Sequence, residues 1–128
     1  MAAHVVLDAS AVLALLQSKP GWDVVASEIG TGAMSAINAV EVMTRLIDRS
    51  APDPTLRAAR ALVERLSVPF DHRQAMRAAE LRRATRPLGL SLADRCCLAL
   101  AITESLPVLT ADRAWASLDI GVQIRVVR

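Results

Sequence analysis

VVLDASAVLALL, residues 5–16, carries a single carboxylate, Asp8, inside an otherwise apolar run. Val5, Val6 and Leu7 read as a short buried strand. Val12, Leu13, Leu15 and Leu16 then recur at the spacing of one helix face. A strand that ends in an acid and turns at once into a helix is the opening of a βαβ unit. At that junction Asp8 is either a helix cap or the first piece of a site.

The rest of the chain repeats the alternation. Pro20-Gly21 breaks the first helix, and a second runs from Trp22 to about Ile29. Ala33–Ala36 reads as a strand, and Asn38 as the start of a helix with Val42, Met43, Leu46 and Ile47 on one face. After the break at Ala51-Pro52-Asp53-Pro54, a helix is expected to Leu66 and a strand over Ser67–Phe70. Asp71 caps a helix expected to reach Arg86, before Pro87 and Gly89. Leu92–Ser105 reads as a strongly apolar helix and Pro107–Thr110 as a buried strand. A short helix near Arg113–Leu118 and a strand over Gln123–Val127 close the pattern. Short apolar strands alternating with helices predict an α/β fold of three layers, α/β/α, around a mainly parallel sheet. With 128 residues and no linker or repeat, residues 1–128 are expected to form a single domain.

Composition narrows the function. Hydrophobic residues make up 53% of the chain and aromatics only 2%, so the core is aliphatic. That argues against proteins that stack single-stranded bases on rows of Phe and Tyr. The net charge is +2, and Lys19 is the only lysine among the cations. Cys96 and Cys97 are adjacent, about 3.8 Å apart between Cα atoms, too close for an ordinary disulfide. They read as reduced, core-filling thiols, which fits a cytoplasmic protein. No run approaches the ~20 apolar residues of a membrane span. The apolar start is broken by Asp8 and lacks a basic flank, so it does not read as a signal peptide.

Four acids stand at strand ends or helix starts, and each has a purely structural reading. Asp8 caps the first helix. Glu41 lies three residues after Asn38, and Asp94 three after Ser91, both in capping-box spacing. Asp112 follows Val108-Leu109-Thr110-Ala111 and suits a cap or an Asx turn. In a parallel sheet, however, the carboxyl ends of the strands line one edge, where ligands bind. Four carboxylates converging there repel one another until a cation neutralises them. The oxygen-rich set favours Mg²⁺ or Mn²⁺.

The same words resemble the motifs of a PIN domain of the VapC toxin type. VVLDASA resembles the first motif, SAINAVEV the second, GLSLADRCCLALA the third and LTADRAW the fourth. The resemblance covers essentially the whole chain. It implies that Asp8, Glu41, Asp94 and Asp112 hold one or two Mg²⁺ or Mn²⁺ ions, with Ser10 and Thr110 supporting the site. Ala114 stands where family members often carry a further acid, and Trp115 where Phe is usual. These departures touch the second metal position, not the Asp8–Glu41–Asp94 core.

The resemblance implies a ribonuclease that cuts RNA by metal-assisted water attack, a cognate antitoxin protein as partner, and a homodimer. No Ser or Cys has a His placed to activate it, and His4 and His72 read as surface residues. Arg73, Arg77, Arg82, Arg83 and Arg86 crowd one helix and its end, and Arg95 follows Asp94; most of them read as a solvated face, and some are expected to meet RNA phosphates. Two other classes compete. A catalytically silent PIN-like module would bind RNA or protein. A phosphate-transferring α/β domain is the other. Its phosphatase form would want Asp at Ser10, and its receiver form a strand-end Lys that Lys19 does not supply.

Overall fold

Five short strands, Val5–Leu7 (β1), Gly32–Ser35 (β2), Ser67–Val68 (β3), Val108–Thr110 (β4) and Ile124–Val126 (β5), form one sheet in the computed structural model, which describes residues 2–128. Of the expected span 1–128, Met1 lies outside the described residues. The strand order is β3-β2-β1-β4-β5, and every pairing is parallel. The helices are Ala9–Leu16 (α1), Trp22–Glu28 (α2), Ala36–Asp48 (α3), Asp53–Leu66 (α4), His72–Glu80 (α5), Arg82–Thr85 (α6) and Leu92–Glu104 (α7).

The three layers follow from the two-residue period of the strands. Val5 and Leu7 of β1, with Leu109 of β4, join a core with Val12, Val25, Val42, Val63 and Leu66 of α1–α4. Val6 and Val108 point the opposite way, into a core with Ala78 of α5, Leu98 and Leu100 of α7, and Trp115. The central strands β1, β2 and β4 are buried on both faces, which is why they read as apolar runs without alternation. At the edges, β3 and β5 are only partly buried. Cys96 and Cys97 are free thiols buried on α7, as expected. At the sheet edge, a bidentate pair joins Arg125 of β5 to Glu28 of α2, at 2.6 and 2.7 Å. None of the helices among the described residues is long and apolar enough to cross a membrane.

Apart from β1, strand bounds shift by one or two residues from those expected, as where Ser67–Phe70 shortens to Ser67–Val68, and two helix boundaries move for a visible local reason. The helix expected over His72–Arg86 is interrupted at Leu81, giving α5, α6 and a 3₁₀ turn at Arg86–Leu88. There Thr85 turns its hydroxyl back to the Leu81 carbonyl at 2.8 Å, the back-bonding that bends helices. The helix expected to start at Asn38 begins at Ala36, because Ser35 caps it by accepting from the Ile37 amide.

A candidate acidic active site

β1 lies at the centre of the sheet, between β2 and β4. The chain goes to one side of it first and returns to the other, so a crevice opens at the carboxyl ends of β1 and β4. Asp8 follows β1 directly, and Asp112 stands two residues beyond β4. Helices in such a sheet run against the strands. The N-terminal ends of α3 and α7 therefore open on the same edge, bringing Glu41 and Asp94 with them.

Asp8 is 3% exposed and is held by four hydrogen bonds. The Ala11 amide donates to Oδ1 at 2.9 Å, the expected cap. The Ser10 hydroxyl donates to Oδ1 and Oδ2 at 2.8 and 2.9 Å, and the Thr110 hydroxyl to Oδ2 at 2.8 Å. Both hydroxyls are oriented by the loop after β4. The Ala111 amide donates to Ser10 Oγ at 2.9 Å, and the Asp112 amide to Thr110 Oγ1 at 3.0 Å. Each oxygen thus receives a backbone proton and turns its own towards Asp8. Burial nevertheless dominates: it pushes the Asp8 carboxyl up to about 7, against the lowering by these hydrogen bonds. Nearby Asp94 adds to the rise.

Glu41 is not a capping residue. With Ser35 as the cap, position N3 is Asn38, and Glu41 lies in the following turn. Asn38 is 1% exposed, and its amide nitrogen donates to Glu41 Oε1 at 3.3 Å and to the Ala93 carbonyl at 3.1 Å. Both partners are acceptors, so the NH₂ group must face them, leaving buried Oδ1 without a partner among the described residues. Asn38 therefore ties Glu41 to the residue before Asp94. Asp94 itself completes the expected capping box with Ser91, accepting from the Ser91 amide at 2.9 Å. Asp112 Oδ1 accepts from the Ala114 amide at 2.9 Å.

All four carboxylates line one cleft of about 230 Å³, with Ser10 and Arg45. Cys97, beneath them on α7, registers the convergence. Its thiol is pushed well up, first by burial and then by the negative charges of Asp8, Asp94 and Glu41. Among the described residues no three His, Cys, Asp or Glu side chains are gathered at metal-ligand spacing. Like charges resist such gathering, and Glu41, Asp94 and Asp112 each turn one oxygen to a local donor. The second oxygen of each is left for another partner. Hard carboxylate oxygens around one cleft are the donor set that Mg²⁺ and Mn²⁺ take.

The cations that share clefts with the acids are not those that crowd the sequence between Arg73 and Arg86. Lys19, Arg45, Arg113 and Arg128 line a second cleft, of about 390 Å³, which shares Ser10, Leu13, Arg45 and Asp112 with the first. Arg82, Arg83 and Arg86 line a separate depression with Glu80. Arg95 Nη1 donates to the Ala78 carbonyl at 3.0 Å, which commits it to holding α7 on α5. His4 and His72 are exposed, as expected. Sequence reading missed Asn38 and the four cations, because neither has a signature along the chain.

Among solved structures, the chain is similar to DNA-bound VapBC from Salmonella typhimurium, at 17% identity over 98% of this chain and 99% of that one, TM-score 0.76. VapBC2 from Rickettsia felis bound to a promoter DNA fragment matches at 13% identity over 97% and 98%, TM-score 0.73. VapBC-5 from Mycobacterium tuberculosis, of a toxin–antitoxin family, matches at 24% identity over 100% and 99%, TM-score 0.62. These likenesses establish the shared fold. No curated protein matches by sequence. The PIN-domain profile matches residues 5–121, from the first residue of β1 to beyond Asp112, and the chain belongs to the PIN-domain family.

Proposed function

We propose that this PIN domain, spanning residues 1–128, is a metal-dependent endoribonuclease and the toxin of a toxin–antitoxin pair, acting on RNA in the cytoplasm. The observation that carries the reading is the cleft shared by Asp8, Glu41, Asp94 and Asp112 around a buried, hydroxyl-braced Asp8. These four acids would hold Mg²⁺ or Mn²⁺. When bound, the ion supplies the charge that activates water and steadies the negative charge growing on the phosphoryl oxygens. Asp8 anchors the site at the end of β1, with Ser10 and Thr110 fixing its carboxylate plane. Asn38 fixes Glu41, and the capping box fixes Asp94. Arg45, on the rim, counters the negative charge of an arriving phosphate.

A cognate antitoxin is the proposed protein partner, as the related VapBC structures pair two proteins. Beside Glu41, Val40 is 64% exposed and lines a surface groove with Ile37 and Ala93, an apolar patch that such a partner would cover. A homodimer is proposed for the toxin itself. The phosphatase alternative fares worse: it needs an acid where Ser10 stands, and Ser10 is engaged in bracing Asp8. Against the silent-module alternative stands the intact set of acids.

The test is cleavage of a structured RNA by purified protein with Mn²⁺, with Mg²⁺ and with EDTA, beside Asp8→Asn. Metal-dependent cutting that disappears in the variant is the expected result. Equal cutting by both proteins would assign the activity to a contaminant and sink the nuclease reading.

A further inference from the structure

An acidic cleft repels the substrate proposed for it, so something must hold a polyanion against that field. We propose that Lys19, Arg45, Arg113 and Arg128 form the ledge that carries the RNA backbone beside the scissile phosphate. The inference rests on the nuclease reading above and assigns it a binding surface.

Four observations carry it. The cations come from four separate segments: the end of the α1 loop, α3, the turn after β4, and the residues after β5. Yet they line one open cleft of about 390 Å³. That cleft is continuous with the acidic one through Ser10, Leu13, Arg45 and Asp112, so a strand over the acids passes onto the ledge. None of the four is in an ion pair among the described residues, whereas Arg60, Arg77 and Arg125 each meet a glutamate. All four are exposed, which leaves their charge available to phosphates. Neither Trp nor Phe lines the cleft, so contacts there are to the backbone and carry little sequence preference.

The arginine-rich helix end is the natural rival and the natural control. Arg82 and Arg83 are equally exposed and border a separate depression. The experiment compares Lys19→Glu/Arg113→Glu with Arg82→Glu/Arg83→Glu, which change the net charge equally. Binding of a fluorescent single-stranded RNA is followed by anisotropy in EDTA from 50 to 200 mM salt, so no cutting intervenes. Each single-strand phosphate contact adds about 0.7 to the slope of log affinity against log salt. The ledge variant is expected to lose about 1.4 of that slope, and the control pair none. Circular dichroism melts of both variants should match the unaltered protein, since all four side chains are exposed and outside the two cores. A ledge variant with the original slope overturns the proposal, as does a control pair that loses it. Either result leaves the nuclease reading standing, because that is judged by metal-dependent cutting and its loss in Asp8→Asn.

Discussion

Asp8 is a carboxylate that the fold buries before anything neutralises it. Its carboxyl titrates at about 7 in the folded chain, against an ordinary value of 3.8, with burial the largest cause. Between those values the unfolded chain has released its proton while the folded chain keeps it. The folded state is therefore favoured most at low pH and loses that advantage as pH rises through 7. The whole difference is worth roughly 4 kcal/mol. Thermal melts in EDTA should show stability falling from pH 5 to pH 8, with Asp8→Asn flatter and more stable than the parent at pH 8. Asparagine still caps α1 and carries no charge. If the variant and the parent share one pH profile, Asp8 is not the group responsible.

Elements matter through what ties them together, and α3 and α7 are tied by one side chain. Asn38 bonds Glu41 on its own helix and the Ala93 carbonyl on the other. Replacing it by alanine removes the bond to the half-buried Ala93 carbonyl, at about 0.5–1.5 kcal/mol. It also frees Glu41 from its orientation, and loss of such a supporting partner typically weakens metal binding about 10–100-fold. Calorimetric titration of Asn38→Ala with Mn²⁺ should show that drop. Unchanged affinity in a folded variant would mean that Glu41 orients itself.

That tether also marks the limit of what the chain discloses. β1, β2 and β4 were legible because both their faces are buried, which writes them as unbroken apolar runs. The capping chemistry of Asp8, Asp71, Ser91–Asp94 and Asp112 was legible because caps act within four residues. Glu41 misled for the same reason: Asn38-x-x-Glu41 has capping-box spacing, yet Ser35 takes the cap. The Asn38–Ala93 bond spans 55 positions, and the ledge joins residues 19, 45, 113 and 128, so neither has a local signature. Local crowding of Arg82, Arg83 and Arg86 pointed to a different surface.

At the scale of the molecule, the four acids come from the end of β1, the second turn of α3, the first turn of α7 and the loop after β4. A cation joining them links segments from residue 8 to residue 112, on both sides of β1. No unfolded chain holds that arrangement, so binding adds its full free energy to stability. At a hundred times its dissociation constant, an ion contributes about 2.7 kcal/mol. Mg²⁺ or Mn²⁺ should therefore raise the melting temperature at pH 8, and EDTA should reverse the rise. At pH 5 the effect should shrink, because Asp8 there keeps its proton and an ion must displace it. In Asp8→Asn the rise should be small at both pH values. A metal effect equal at pH 5 and pH 8, and preserved in that variant, would place the bound ions away from Asp8 and would remove the ground for treating the four acids as one site.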